Sequence, residues 1–154
     1  MLSIDVNVAY RVATSKDIDV LLQLVEEFHK LEKLPFDPVL DRVSLQQFLL
    51  NPTLGKIWLI YDRKNVIGYA AVTFSYSIEF RGISAVLDEL YLRADCRGQG
   101  IGTKTLRFVE ESCQQMGIDV ISLLVHRDND RAKQVYQKVG YDDRGYQLMV
   151  KTIA

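Results

Sequence analysis

The sequence predicts a mixed α/β (α+β) domain: a central mixed, mostly antiparallel sheet flanked by helices, in the order β-α-α-β-β-β-α-β-α-β. Three observations carry this. The β-rich runs Lys56–Tyr61, Val66–Phe74 and Ala85–Leu92 follow one another through connections too short for a crossover, so they pair antiparallel. Leu106, Val109, Cys113 and Met116 then recur at helical spacing between two strand-like runs, which makes a βαβ unit. Finally, 154 residues that are 48% hydrophobic and 25% charged suffice for one domain with its own core, without disulfide or metal staples. A single domain over residues 1–154 is expected.

Taken in order, Val8–Val12 reads as the first strand. Thr14 or Ser15 caps a helix beginning near Lys16, with Asp17 and Asp19 in its first turn. Ile18, Leu21, Leu22, Val25, Phe28 and Leu31 fall on one face of it, and Pro35 and Pro38 break it. Leu40–Leu50 is a second short helix, ended before Pro52. The polar turn Asp62–Asn65 joins one hairpin and Arg81-Gly82 the next. A helix over Thr103–Met116 is closed by Gly117. Val120–Val125 is an apolar strand buried on both faces, Asp130–Val139 a helix ended by Gly140, and Tyr146–Thr152 the last strand.

A net charge of −1 and a pI near 6.1 give no sign of a nucleic-acid surface. No apolar run approaches the ~20 residues of a membrane span, and Met1–Tyr10 lacks the pattern of a secretory signal. A cytoplasmic protein without a membrane partner is the expectation. Cys96 and Cys113 are too few for a disulfide framework, and no Cys/His spacing fits a metal site.

The most informative stretch is Arg97-Gly98-Gln99-Gly100-Ile101-Gly102, between the strand Ala85–Leu92 and the helix from Thr103. A glycine-rich turn at a helix N-terminus holds phosphates, because the first helical amides have no intrahelical partner and the dipole favours negative charge. The turn lacks the Lys-Ser/Thr of a P-loop, and a Gly-x-Gly-x-x-Gly beginning at Gly98 ends on Thr103. Asp119 lies about 20 residues on but precedes the next strand instead of ending it.

Arg97, Gly100 and Gly102 resemble the Arg/Gln-x-x-Gly-x-Gly/Ala motif of the GNAT superfamily of acetyl-CoA-dependent N-acetyltransferases. Leu87-Asp88-Glu89-Leu90-Tyr91-Leu92 is similar to that family's fourth strand. Asn129-Asp130-Arg131-Ala132, Tyr136 and Lys138-Val139-Gly140-Tyr141 are similar to its last conserved helix and exit. The match runs from Trp58 to the C-terminus and is weak over the first 55 residues. Within the superfamily the strand and the preceding stretch from Gly68-Tyr69-Ala70 to Ser75-Tyr76 look most like the diamine acetyltransferases. Arg93-Ala94-Asp95-Cys96 departs from the family, which often has proline there.

The resemblance implies a GNAT-like fold, acetyl-CoA as co-substrate and direct attack by an amine in a ternary complex. It implies that the backbones of Leu90, Tyr91 and Leu92 pair with the pantetheine arm like an added strand, one N–H polarising the thioester carbonyl. Arg97, Gly98, Gln99, Gly100, Ile101, Gly102 and Thr103 then grip the pyrophosphate, and Asn129, Ala132 and Tyr136 touch the cofactor from the last helix. Tyr136 also matches the family's general acid: a phenol with pKa near ~10 stays protonated and donates to a thiolate whose thiol pKa is near ~8.5.

The amine must lose a proton before attack, and Asp88 and Glu89 are the candidate bases. Adjacent on a strand, they point to opposite faces; a regular strand puts Asp88 on the face of Leu90 and Leu92, unless a β-bulge at Leu90–Leu92 alters the facing. By resemblance, Asp88 is the carboxylate acting on the amine through water. Glu79 and Phe80 in the second hairpin, and Glu27 with Glu26 and Glu32 on the first helix, are the candidate acceptor contacts for a small cationic amine. His29 and His126 read as structural or surface residues. Cys96 has no paired histidine for a covalent route.

Two other functions fit the same residues: a non-catalytic acyl-CoA-binding regulatory module, or acetylation of a protein amine. A dinucleotide site fits less well. Dimers are common in the resembling family, so a homodimer is expected, with no interface legible in the sequence.

Overall fold

The computed structural model describes residues 7–154. They divide into two compact units, a larger one ending at Leu124 and a smaller one, Val125–Ala154.

The larger unit runs β1 (Val8–Val12), α1 (Ile18–Glu32), α2 (Pro38–Leu50), β2 (Gly55–Asp62), β3 (Asn65–Ser77), β4 (Gly82–Leu92), α3 (Ile101–Gln115) and β5 (Ile121–Leu123). Its sheet has the order β1-β2-β3-β4-β5, antiparallel except for the parallel β4–β5 pair that α3 connects.

Local chemistry explains most element ends. Thr14 caps a short 3-10 turn, Ser15–Asp17, in a reciprocal box: its side chain accepts from the Lys16 amide while its own amide donates to Asp17 at 2.8 Å. The first helix therefore starts at Ile18, two residues after the expected point. It ends at Lys33, in the left-handed region at φ 55°. Pro38 does not break a helix but opens α2, where a missing N–H costs nothing, with Asp37 accepting from Val39 and Leu40. Gly117, at φ 76°, closes α3 as expected.

Strand alternation sends two sets of side chains to the two faces of the sheet. Ile57, Leu59, Tyr69, Ala71 and Tyr91 pack under α1, which buries Leu21, Leu24 and Val25 against them. Each fully buried leucine contributes about 1.5–3 kcal/mol relative to exposure. Ile60, Ile67, Leu90 and Leu92 turn to the other face and meet Ile101 of α3. Tyr10 stacks on Phe108 at 4.0 Å and ties β1 to the same helix. Gly68 is required by this packing: a Cβ there would lie 2.0 Å from the Tyr91 carbonyl oxygen.

Two strand expectations are corrected. β5 is shorter than Val120–Val125 and only half-buried, because it lies at the edge of the sheet. Tyr146–Thr152 forms no strand. Its apolar residues supply a pattern, but a strand exists only within a ladder, and among the described residues none pairs with it. Tyr146, Leu148, Met149 and Val150 are all exposed.

The smaller unit holds α4 (Asp130–Lys138), capped by Asn129, whose side chain accepts from the Ala132 amide at 3.1 Å. The rings of Tyr136 and Tyr141 meet edge-on at 5.8 Å.

Candidate active site

The corner between β4 and α3 is built by the glycine turn. Gly98 and Gly100 have φ of 73° and 77°, which a side chain would strain, and a Cβ on either would project into open space. Gly100 is the N-cap of α3, and no side chain caps the helix. The amides of Ile101, Gly102 and Thr103 precede the first intrahelical donor, Lys104, which bonds the Gly100 carbonyl. Arg97 is held at the same corner: its Nε donates to the Leu92 carbonyl at 2.8 Å and its guanidinium lies over the Tyr91 ring. Exposed glycines, uncommitted amides at a helix N-terminus and an oriented guanidinium form a cradle that fits a pyrophosphate.

β4 leads into this cradle with one edge open. β5 pairs only with Ala85–Leu87, and among the described residues no strand pairs with that side of β4 from Asp88 to Leu92. Leu90 and Leu92 are half-buried against α3, as ordinary core residues are.

The register of β3 with β4 slips at one place. Val72 faces Leu87 and Ala71 faces Glu89, so Asp88 is the extra residue of a β-bulge. The bulge lies at Asp88, before the expected Leu90–Leu92. It overturns the expected division of the two carboxylates. Leu90 and Leu92 turn to the α3 face, whereas Asp88 and Glu89 both line a cleft of about 210 Å³ on the α1–α2 face. Val25, Leu45, Phe48, Ile57 and Ala71 form its apolar wall, with His29, Asp41, Ser44, Tyr69 and Thr73 also lining it.

The carboxylates differ in what they hold. Glu89 accepts from the Tyr69 hydroxyl at 2.8 Å and lies 2.7 Å from His29 Nε2. His29 Nδ1 lies 3.1 Å from the Pro35 carbonyl. Asp88 is exposed and accepts no hydrogen bond from the described residues. Burial first, and the neighbouring Glu89 charge next, push the Tyr69 phenol far above its ordinary range, so it serves as a donor and stays protonated.

Of the other expected residues, Glu27 bonds within the protein: it accepts from Tyr91 Oη at 3.1 Å and from Arg93 Nε and Nη2, each at 3.3 Å. Glu79 and Phe80 are exposed at the β3–β4 turn, beyond Thr73, the last β3 residue on the cleft. Tyr136, Asn129 and Ala132 lie in the smaller unit. Burial, then Asp95, raises the Cys96 thiol, which disfavours a thiolate nucleophile there. His29 and Asp41 had no part in the expected site. His29 follows Val25 by four residues, and that spacing was the available signal that it faces inward.

A helix-flanked mixed sheet with an exposed glycine turn at the corner of its parallel pair and an acidic cleft on its α1–α2 face fits an acyl-transfer domain. The chain belongs to the acetyltransferase (GNAT) family, whose pattern it matches over residues 21–141, and it is an N-acetyltransferase. It is 28% identical to a thialysine N-epsilon-acetyltransferase of Bos taurus over 145 residues, 88% of this chain and 85% of that one. A D-amino-acid N-acetyltransferase of Saccharomyces cerevisiae is 25% identical over 130 residues, 82% and 80% of the two chains. Among solved structures, an integron cassette protein from the mobile metagenome of Cole Harbour Salt Marsh superposes with a TM-score of 0.83 at 26% identity, over 94% of this chain and 90% of that one. A protein described as a predicted acetyltransferase, from Clostridium acetobutylicum and solved with acetyl-CoA, shares the fold at a TM-score of 0.78 and 22% identity, covering 94% and 96%.

Proposed function

We propose that this protein acetylates a primary amine of a small cationic acceptor, by direct attack in a ternary complex. The observation that carries the reading is the bulge, which turns Asp88 and Glu89 together into a cleft beside the open edge of the strand that leads to Arg97.

An alkyl ammonium has a pKa near ~10.4 and must lose a proton to attack. Asp88, open and uncommitted, takes that proton directly or through one water, while Glu89 is held by Tyr69 and His29. Attack by the neutral nitrogen forms the N–C bond and breaks the thioester C–S bond. Tyr136 donates its phenolic proton to the departing thiolate, and the second proton of the attacking nitrogen leaves as the amide forms and restores the phenol through solvent. The amides of Leu90–Leu92 would hold the pantetheine arm, and Arg97 with residues 98–103 the pyrophosphate; Asn129 and Ala132 contribute from α4. Acetyl-CoA supplies the activated acyl group. Glu79, Phe80 and Glu27 belong to the proposal as outer acidic and aromatic contacts on the acceptor side.

One domain spanning 1–154 is proposed, because the family match crosses the boundary at Leu124. A cytoplasmic location is proposed from the sequence pattern alone and a homodimer from the family resemblance; sedimentation velocity tests the dimer. No described helix is long and apolar enough to cross a membrane.

The test is an assay of free thiol release from acetyl-CoA with a panel of mono-, di- and amino-acid amines, alongside calorimetric titration with acetyl-CoA. Turnover with cationic amines is expected. Acetyl-CoA binding without turnover on any amine, peptide amines included, would instead make the chain a binding module.

A further inference from the structure

His29 belongs to the cleft but has no part in the chemistry above. Both of its ring nitrogens face acceptors: Nδ1 the Pro35 carbonyl at 3.1 Å, and Nε2 the Glu89 carboxylate at 2.7 Å. A neutral imidazole carries one N–H and satisfies one of these; only the imidazolium donates to both. Acidic and phenolic groups face the ring's surroundings from three elements. Glu89 and Asp88 face the cleft from β4, Asp41 from α2, and the Tyr69 phenol bonds the same Glu89 from β3. Among the described residues neither lysine nor arginine lines the cleft. The ring is wedged between Phe28 and Phe36, at 5.9 and 6.4 Å, and its side chain is mostly buried.

We propose that His29 is a specificity-determining positioning residue: as the imidazolium counter-ion of Glu89 it closes that carboxylate to acceptors, so that an incoming cation meets Asp88 as the open carboxylate of the cleft floor. This deepens the acetyl-transfer reading and rests on it. The Tyr69 hydroxyl and the His29 ring together occupy both Glu89 oxygens, leaving the adjacent pair Asp88–Glu89 with one net negative charge. Removing the imidazolium frees a second anion within one residue of the first. The cleft then selects for a second positive charge on the acceptor.

The experiment compares kcat/KM for butylamine and 1,4-diaminobutane at saturating acetyl-CoA. In His29→Gln the ratio of diamine to monoamine is expected to rise about tenfold over the starting protein. In the double variant His29→Gln/Glu89→Gln the net charge of the pair is restored, and the ratio is expected to return to within about twofold of its original value. A ratio that does not move in the single variant overturns the proposal. So does a shift that survives in the double variant, since that marks a packing effect.

A second readout needs no turnover. The chain has two histidines, His29 and His126, so ring 15N shifts of the unmutated protein are assigned by His126→Gln. The imidazolium pattern at His29, with both nitrogens protonated, supports the proposal, and a single neutral tautomer overturns it. This spectrum decides the role of His29 even where the single variant does not fold. If no amine is acetylated, the functional reading fails while the spectrum still reports on the His29–Glu89 pair.

Discussion

Arg97 reaches back to the strand it follows: its Nε donates to the carbonyl of Leu92 at 2.8 Å, and its guanidinium centre stands 5.6 Å from the centroid of the Tyr91 ring. One residue thus joins the end of β4 to the turn that opens α3. Its Nη groups make no hydrogen bond to a described residue.

Arg97→Ala is expected to weaken acetyl-CoA binding by about 10–100-fold. A charge-assisted hydrogen bond contributes roughly 1.5–3 kcal/mol, and about 1.4 kcal/mol is tenfold in affinity. Calorimetry at low and high salt measures it. Arg97→Lys restores part of the loss, since an ammonium lacks the planar fork.

Asp88 and Glu89 are expected to separate when each is made neutral. Asp88→Asn lowers kcat/KM for the amine by about 10²–10⁴-fold, the usual range for a lost general base, and leaves the midpoint of urea unfolding in place. Glu89→Gln costs about 1–3 kcal/mol of stability, because a half-buried charged hydrogen bond to His29 is lost. Equal stability losses in the two variants would contradict the division of labour at the bulge.

Tyr136→Phe is expected to lower kcat by about 10²-fold or more, the low end of general acid catalysis, with the acetyl-CoA dissociation constant within about threefold. Steady-state kinetics and calorimetry on the same preparation separate the two. An unchanged kcat removes Tyr136 from proton transfer.

Stability is expected to fall in acid through Asp17. Its hydrogen bonds from Arg11, at 2.7 and 3.0 Å, and from the Thr14 amide hold its carboxyl below the ordinary value despite partial burial. A depressed folded pKa means that the stabilisation is fully present above the unfolded value, ~3.9, and is lost as pH falls through the folded one. Urea unfolding at pH 6 and pH 3 checks this. Asp17→Asn should flatten that part of the dependence.

The parts legible in the sequence are those governed by residues close together in the chain. Arg97 to Gly102 carries its turn in its glycines. Thr14 and Asp17 carry the cap, and Arg63-Lys64 the tight hairpin between Asp62 and Asn65. The facing of Asp88 was not legible, because alternation within β4 assumes a ladder without slips, and the slip is set by how Ala71 and Val72 of another strand meet it. The partnership of His29 with Glu89 spans 60 residues and follows only from laying α1 across the sheet. Tyr146–Thr152 has the composition of a strand, but pairing is a property of two segments, and one of them cannot announce it.

The bulge also settles which residue of β4 the sheet can do without. Leu87 already faces α3 and Glu89 already faces α1, so a chain lacking Asp88 would keep strict alternation, and every other side chain of the strand would keep its side. Asp88 is the surplus member of the ladder. A one-residue deletion there should leave the architecture standing, with a more regular strand and an altered chemistry, so the aspartate belongs to the cleft's requirements and not to the fold's.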